Sequence, residues 1–279
     1  MFPADFTYAR AESLEHALSL LGEAQADGDE AKLLAGGQSL LPLMKLRLAA
    51  PQALVDIGGL TALQGVTTDN GSTTIKALTT YRALQRDARV TAAFPAMTDA
   101  LAVLADQQVR ARGTIGGCVA HGDPAADLPA VLLAMDAEVT LTSSARTRTT
   151  PLDSFLQGVF ATDLADDEIL TAITLPAATA LGSAYEKFEQ PASHLPLAGV
   201  CAAVTIADQV ITSARVAVTG VAGRPFRARD TERALASAHP APGSLAVAAA
   251  RVAADVRPLS DQHASGPFRL HLAEVMSPS

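Results

Sequence analysis

The 279-residue chain has no tryptophan, and aromatic residues make up only 4% of it. That scarcity excludes a nucleic-acid platform built on stacked rings. A formal net charge of −8 argues equally against phosphate-backbone binding as the main activity. Cysteine is scarce too. Cys118 and Cys201 are the only two, too few for a four-cysteine zinc or iron–sulfur site on this chain, and unlike a secreted disulfide framework. A reducing compartment follows as the simplest expectation. Long apolar runs are missing: residues 197–207, bounded by Pro196 and Asp208, are far too short to span a bilayer. Asp5, Glu12 and Glu15 stand where a signal peptide needs a basic start and an apolar core. A soluble, cytoplasmic protein is therefore expected. No GxGxxG fingerprint, no P-loop and no internal repeat occurs.

What is present is a globular composition, 49% hydrophobic, enough for one large domain or about two to three small ones. Ser13 is placed to cap a helix over 14–21 with Leu14, Leu18 and Leu21 on one face. Residues 32–35 read as a short buried strand that runs into Gly36-Gly37, and Ser39 then opens a helix through Leu46. A strand is expected over 53–57. Asn70-Gly71 between 66–68 and 73–77 signals a hairpin. Thr80 caps a helix over 81–86, and Pro95 opens another carrying Met97, Leu101 and Leu104 on one stripe. A buried helix over 129–135, a strand pair at 137–142 and 148–150, a helical turn at 152–156 and a strand over 168–175 follow. Composition changes after Pro176, which sets the expected domain boundary. Strands are expected at 183–188, 200–206 and 214–221, with a turn at Asp208-Gln209. Helices are expected at 231–237, 245–256 and 266–276. Strands followed by helices indicate α+β, with a sheet covered on one face.

Two stretches carry the candidate chemistry. In Ala35-Gly36-Gly37-Gln38-Ser39-Leu40, adjacent glycines permit positive φ and close backbone approach, and the helix start adds partial positive charge. Alone, a glycine pair is more often an ordinary strand-to-helix turn. The second stretch, Thr114-Ile115-Gly116-Gly117, repeats the pattern just after Arg110 and Arg112. Two such turns fit a dinucleotide better than either alone. Asp127, one turn beyond Asp123, can accept bonds from a sugar hydroxyl, whereas Asp123 is read as a cap for a helix starting at Pro124. His121 and His194 lack metal-like spacing, and both cysteines read as small core hydrophobes. Arg224, Arg227, Arg229 and Arg233 form either a solvated basic face or a dock for an acidic partner.

Taken together, AGGQSLLPLMKLR and RGTIGGCVAHGDPAADLPAVLLAMDAEV resemble the FAD-binding medium subunits of the molybdenum hydroxylases, and the likeness extends through DEILTAITLP and AYEKFEQPASHLPLAGVCAAV. That family includes the flavoprotein subunit of carbon monoxide dehydrogenase and the FAD segment of xanthine dehydrogenase. The resemblance implies an α+β fold: a two-lobed PCMH-type FAD-binding domain, residues 1–176 with lobes of about 1–57 and 58–176, then a C-terminal domain, 177–279, with a three-stranded antiparallel sheet and helices. It implies that Ala35, Gly36, Gly37, Gln38, Ser39, Leu40 and Leu41, with Thr114, Ile115, Gly116, Gly117 and Cys118, bind the diphosphate and nearby ribityl. It further implies that Asp127 bonds a flavin hydroxyl, that Leu104 and Leu170 pack on the adenine or the ring system, and that Lys187 lies near the isoalloxazine. Gln38 and Cys118 depart from the family's usual His and Asn or Asp, and His194-Leu195 stand where many relatives carry Asp and an aromatic residue; Leu195 could still cover the ring.

The implied function is electron transfer in a molybdenum-cofactor hydroxylase. Electrons would come from the [2Fe–2S] clusters of an iron–sulfur small subunit and go to an external acceptor. A molybdopterin large subunit would oxidise the organic substrate, within a dimer of heterotrimers. No catalytic acid, base or metal ligand is expected on this chain. The alternative is a stand-alone FAD-dependent oxidoreductase that uses a nicotinamide nucleotide.

Overall fold

The computed structural model describes residues 2–177, 182–254 and 256–277. Three main sheets organise it. In the first, β1 (Thr7–Arg10), β2 (Ala31–Leu34) and β3 (Ala53–Asp56) lie parallel in the order β1-β3-β2. The helix Leu14–Asp27 covers this sheet. It starts at Ser13, whose side chain accepts from the His16 N–H, and runs on past the predicted Leu21 to Gly28, left-handed at φ 80. Strand β1 carries no periodic pattern and was not expected; its pairing with β3 creates it.

The second sheet is antiparallel. Strands β4 (Val66–Asp69) and β5 (Ser72–Lys76) form the predicted hairpin, with Asn70 and Gly71 both at positive φ as a two-residue primed turn demands. Strands β6 (Glu138–Thr142) and β7 (Thr147–Pro151) also pair as expected. A small ribbon, β8 (Leu156–Gly158) with β9 (Ala161–Thr162), follows the helical turn Leu152–Phe155. Strand β10 (Ile169–Leu175) then enters the middle, giving β4-β5-β10-β6-β7.

The third sheet holds β11 (Gly182–Glu189), β12 (Pro196–Ala207) and β13 (Val210–Thr219), joined by the Asp208-Gln209 turn, both residues at positive φ. Three long strands were expected; a two-residue fourth, β14 (Phe226–Arg227), extends the edge. The helices Arg229–Leu235, Pro242–Ala249 and Gly266–Met276 pack over it. The predicted helix 245–256 is found instead as Pro242–Ala249, with turn over 250–254; Asp255 and residues 178–181 of the predicted linker lie outside the described residues.

The helix Asp127–Ala134 packs on the third sheet and shares one apolar core with the second, with all its residues buried. It begins at Asp127 rather than at the expected Pro124. Asp123 does not cap it; its carboxylate accepts from the Ala125 N–H at 2.8 Å in the preceding turn. The third sheet grips that turn, because the Thr219 hydroxyl donates to the carbonyls of Pro124 (2.9 Å) and Ala126 (2.8 Å). The predicted basic cluster divides: Arg233 stays on a solvated face, while Arg224, Arg227 and Arg229 pair with acidic side chains of the preceding segment. Arg227 pairs with Asp136 and Glu232, Arg224 and Arg229 with Asp153 at 2.9 and 3.2 Å, and Arg233 with Asp230. Asp136 and Asp153 belong to the segment carrying the second sheet, so Arg224, Arg227 and Arg229 clamp the C-terminal part onto it.

Candidate functional site

After β2 the chain turns through Ala35, Gly36 and Gly37 into the short helix Leu40–Lys45. Gly37 has φ +73, a conformation glycine adopts without steric cost. Gly36 is needed for a different reason: a Cβ there would lie 2.1 Å from the Arg112 carbonyl oxygen. Ser39 opens the helix but its hydroxyl makes no capping bond. Among the described residues, the backbone N–H groups of Gly37, Gln38, Ser39 and Leu40 donate to no protein acceptor. Four free donors at a helix start form a cradle for an anion. Gly36→Ala is expected to push the Arg112 backbone away and destabilise the protein by about 1–3 kcal/mol, the usual scale of overpacking. Thermal unfolding checks this, and an unchanged Tm contradicts the contact.

The second glycine pair works differently. It lies in the first turn of the helix Ile115–His121, where the Thr114 hydroxyl accepts from the Gly117 N–H at 3.2 Å. The Ile115, Gly116 and Cys118 N–H groups go to Thr79, Ala77 and Thr114 carbonyls at 3.1, 2.9 and 3.0 Å. The expected turn with free donors is therefore not there. Neither Gly116 nor Gly117 has positive φ. Gly116 permits close packing, since a Cβ would fall 2.5 Å from the Ala77 Cβ. Gly117 is exposed, and a Cβ on it would meet only the Thr114 hydroxyl at 2.8 Å and, across a gap, the Ala35 Cβ at 3.9 Å. It is the bare floor opposite the first turn.

Between the two segments lies a cleft of about 530 Å³, within the range of ligand pockets. Ala35, Gly36, Gly37, Gln38, Ser39 and Leu40 line one side; Thr114, Gly116, Gly117 and Cys118 line the other, with Leu170 of β10. Five expected residues are not in its wall. Ile115 faces the core and is fully buried, Leu104 is buried in the same core, and Leu41 turns outward at 39% exposure. Asp127 and Lys187 are the other two. They are buried and face each other, Lys187 Nζ standing 3.1 Å from the Asp127 carboxylate. The Tyr185 hydroxyl donates to the same carboxylate oxygen at 2.7 Å, and Lys187 Nζ also donates to the His194 carbonyl at 2.7 Å. Burial raises the Asp127 carboxyl above its ordinary pKa, against the opposing pull of Lys187 and Tyr185. The pair ties the buried helix to β11 and is already satisfied from within the protein. Leu195, the candidate ring cover, is 41% exposed and also outside the wall.

Several wall residues were not anticipated: Ile57, Tyr81, Leu164 and Phe160. Tyr81 follows the Thr80 cap and could have been placed from that turn. Phe160 is a lone aromatic in a short ribbon and gave no signal. Cys118 is a wall residue, and burial pushes its thiol up to about 12, so it stays protonated at neutral pH. Arg110 spends its guanidinium on the Leu104 and Ala105 carbonyls at 2.7 and 2.6 Å. Arg112, with Arg10, borders a smaller neighbouring cavity of about 320 Å³. Among the described residues, no group of three or more His, Cys, Asp or Glu side chains is placed to hold a metal, and no helix is long and apolar enough to cross a membrane.

The far wall is held by charge. Arg148 donates to Glu168 at 2.6 and 2.7 Å and to Asp163 at 2.6 Å, fixing the segment that brings Leu164 and Glu168 to the cleft. Hydrogen bonds from Arg148 hold Glu168 below the ordinary glutamate value of 4.5. A depressed folded pKa gives stability that is full above the unfolded value and is lost as pH falls through the folded one. Arg148→Met is thus expected to move acid unfolding to higher pH, and superimposable acid curves would contradict it.

Comparison with known proteins converges on one family. Residues 4–178 match the FAD binding domain in molybdopterin dehydrogenase, and residues 183–277 match the CO dehydrogenase flavoprotein C-terminal domain. The glyceraldehyde dehydrogenase medium chain of Sulfolobus acidocaldarius is 34% identical over 277 residues, 99% of this chain and 97% of the relative. The carbon monoxide dehydrogenase medium chain of Hydrogenophaga pseudoflava is 37% identical over 228 residues, 81% of this chain and 78% of that one. The solved carbon monoxide dehydrogenase from Hydrogenophaga pseudoflava superimposes with a TM-score of 0.95 at 35% identity, covering 100% of this chain and 96% of the other. Quinoline 2-oxidoreductase from Pseudomonas putida 86 superimposes at 0.93 with 29% identity, covering 100% and 96%. The chain belongs to the FAD-binding medium subunits of the molybdenum hydroxylases, a family of oxidoreductases, and its cofactor is FAD.

Proposed function

We propose that this subunit relays electrons, receiving them from the [2Fe–2S] clusters of a small subunit and delivering them to an external acceptor, while a molybdopterin large subunit oxidises the organic substrate. The observation that carries this reading is the cleft walled by both glycine segments, in a chain that matches medium subunits along nearly its whole length. FAD bound there supplies the redox chemistry, accepting and releasing electrons at its ring system. The protein's part is to hold it. The free N–H groups of Gly37, Gln38, Ser39 and Leu40 meet the diphosphate, and bare Gly117 leaves it room. Leu170 and Tyr81 offer apolar surface to a ring. Ile115, Leu104, Asp127 and Lys187 act from behind the wall.

We place the FAD-binding domain at 1–176, with lobes of about 1–57 and 58–176, and the C-terminal domain at 177–279. We place the assembly, a dimer of heterotrimers, in the cytoplasm. Tagged chain isolated from its native host is expected to bring down two partners and, with them, iron and molybdenum. A chain that purifies alone and turns over a nicotinamide nucleotide unaided contradicts this and supports a stand-alone flavoprotein.

A further inference from the structure

The ribbon β8–β9 ends in Val159 and Phe160, 53% and 57% exposed. A large aromatic left that open on a two-strand tip has no folding role in the core. Yet its position is fixed. Phe160 has φ +51, its N–H donates to the Gly122 carbonyl at 3.0 Å, and its ring lies 5.0 Å from the His121 ring, tilted by 45°. Both residues line the cleft. His121 is the last residue of the helix whose first turn carries Gly117. One helix therefore presents the bare floor in its first turn and a ring at its end, about one helical turn further along.

Burial lowers the His121 pKa below its ordinary value, opposed by Asp123, so the imidazole is neutral at neutral pH. The neutral imidazole, tilted by 45° against the phenyl ring, backs it and leaves its face as an uncharged surface suited to a planar heteroaromatic ring. The chain is short of aromatics, and this is the one aromatic pair at the cleft among the described residues. The ribbon is held independently of any ligand. Arg148 fixes the Asp163 carboxylate at 2.6 Å, and the Asp163 N–H donates to the Phe155 carbonyl at 2.8 Å.

We propose that Phe160, backed by His121, stacks on one of the two planar rings of the bound dinucleotide and closes that end of the cleft. This rests on the cleft being the FAD site. The shared chemistry is a flat heteroaromatic ring, and two sources can supply it: the adenine or the isoalloxazine.

The test uses the full chain stripped of flavin and titrated with FAD, AMP and FMN. Phe160→Ala is expected to bind FAD about tenfold more weakly, the scale of one base–aromatic stack, with an unchanged Tm because the side chain is exposed. Phe160→Tyr should restore affinity. Weakened AMP binding assigns the stacked ring to adenine; weakened FMN binding assigns it to isoalloxazine. Unchanged affinity for all three ligands overturns the proposal and leaves Phe160 as an external contact. Failure of the cofactor reading shows separately, as wild-type chain that binds no FAD.

Discussion

Gly117→Val is expected to abolish FAD binding while the protein stays folded. The glycine's absent side chain would point across the cleft at Ala35, with nothing but the Thr114 hydroxyl within close range. A valine there occupies the space left for the diphosphate. The folding cost is small, because valine is no worse than glycine in a helix. The new contact at Thr114 disturbs one N-cap, worth about 1 kcal/mol, and so lowers Tm by roughly 2–4 °C in a chain of this size. Absorbance in the flavin bands and a melting curve on the same preparation read both quantities. Full FAD content in the variant would show that the diphosphate lies elsewhere.

Asp127→Ala is expected to act on stability first. Its carboxylate is buried, faces Lys187 at 3.1 Å and accepts from Tyr185. Removing it leaves the Lys187 ammonium, 3% exposed at its side chain, with only the more distant Glu189 carboxylate at 3.7 Å. Breaking a buried pair from one side costs about 3–5 kcal/mol. The double change Asp127→Ala with Lys187→Met should recover much of that loss, since no lone charge is then left behind. Chemical denaturation of the two variants measures this. A normal stability with FAD weakened by about 1–3 kcal/mol, the scale of one lost charged hydrogen bond, would instead return Asp127 to the flavin.

Elements with local causes were legible in the sequence. The Ser13 and Thr80 caps, the Asn70-Gly71 hairpin and the strand feeding Gly36 all lie where short-range chemistry puts them. What escaped depended on distant partners. Strand β1 exists because β3 lies beside it, and Arg224, Arg227 and Arg229 are taken by Asp136 and Asp153, remote in sequence. The candidate site shows the same division. Both glycine segments were visible, but sequence could not show that Thr79 and Ala77 already take the Ile115 and Gly116 donors. Two similar motifs thus differ in the fold, one leaving its N–H groups without protein acceptors and one using them within the protein. Sequence also could not show that Asp127 and Lys187 face each other, 3.1 Å apart.

That division gives the most direct test of the cofactor site. Amide hydrogen exchange should be followed on the full chain with and without FAD. The account predicts strong new protection at Gly37, Gln38, Ser39 and Leu40, whose N–H groups have no protein acceptor. It predicts little change at Ile115, Gly116 and Cys118, which are already bonded within the protein. Stoichiometric FAD binding with no added protection at residues 37–40 would contradict it.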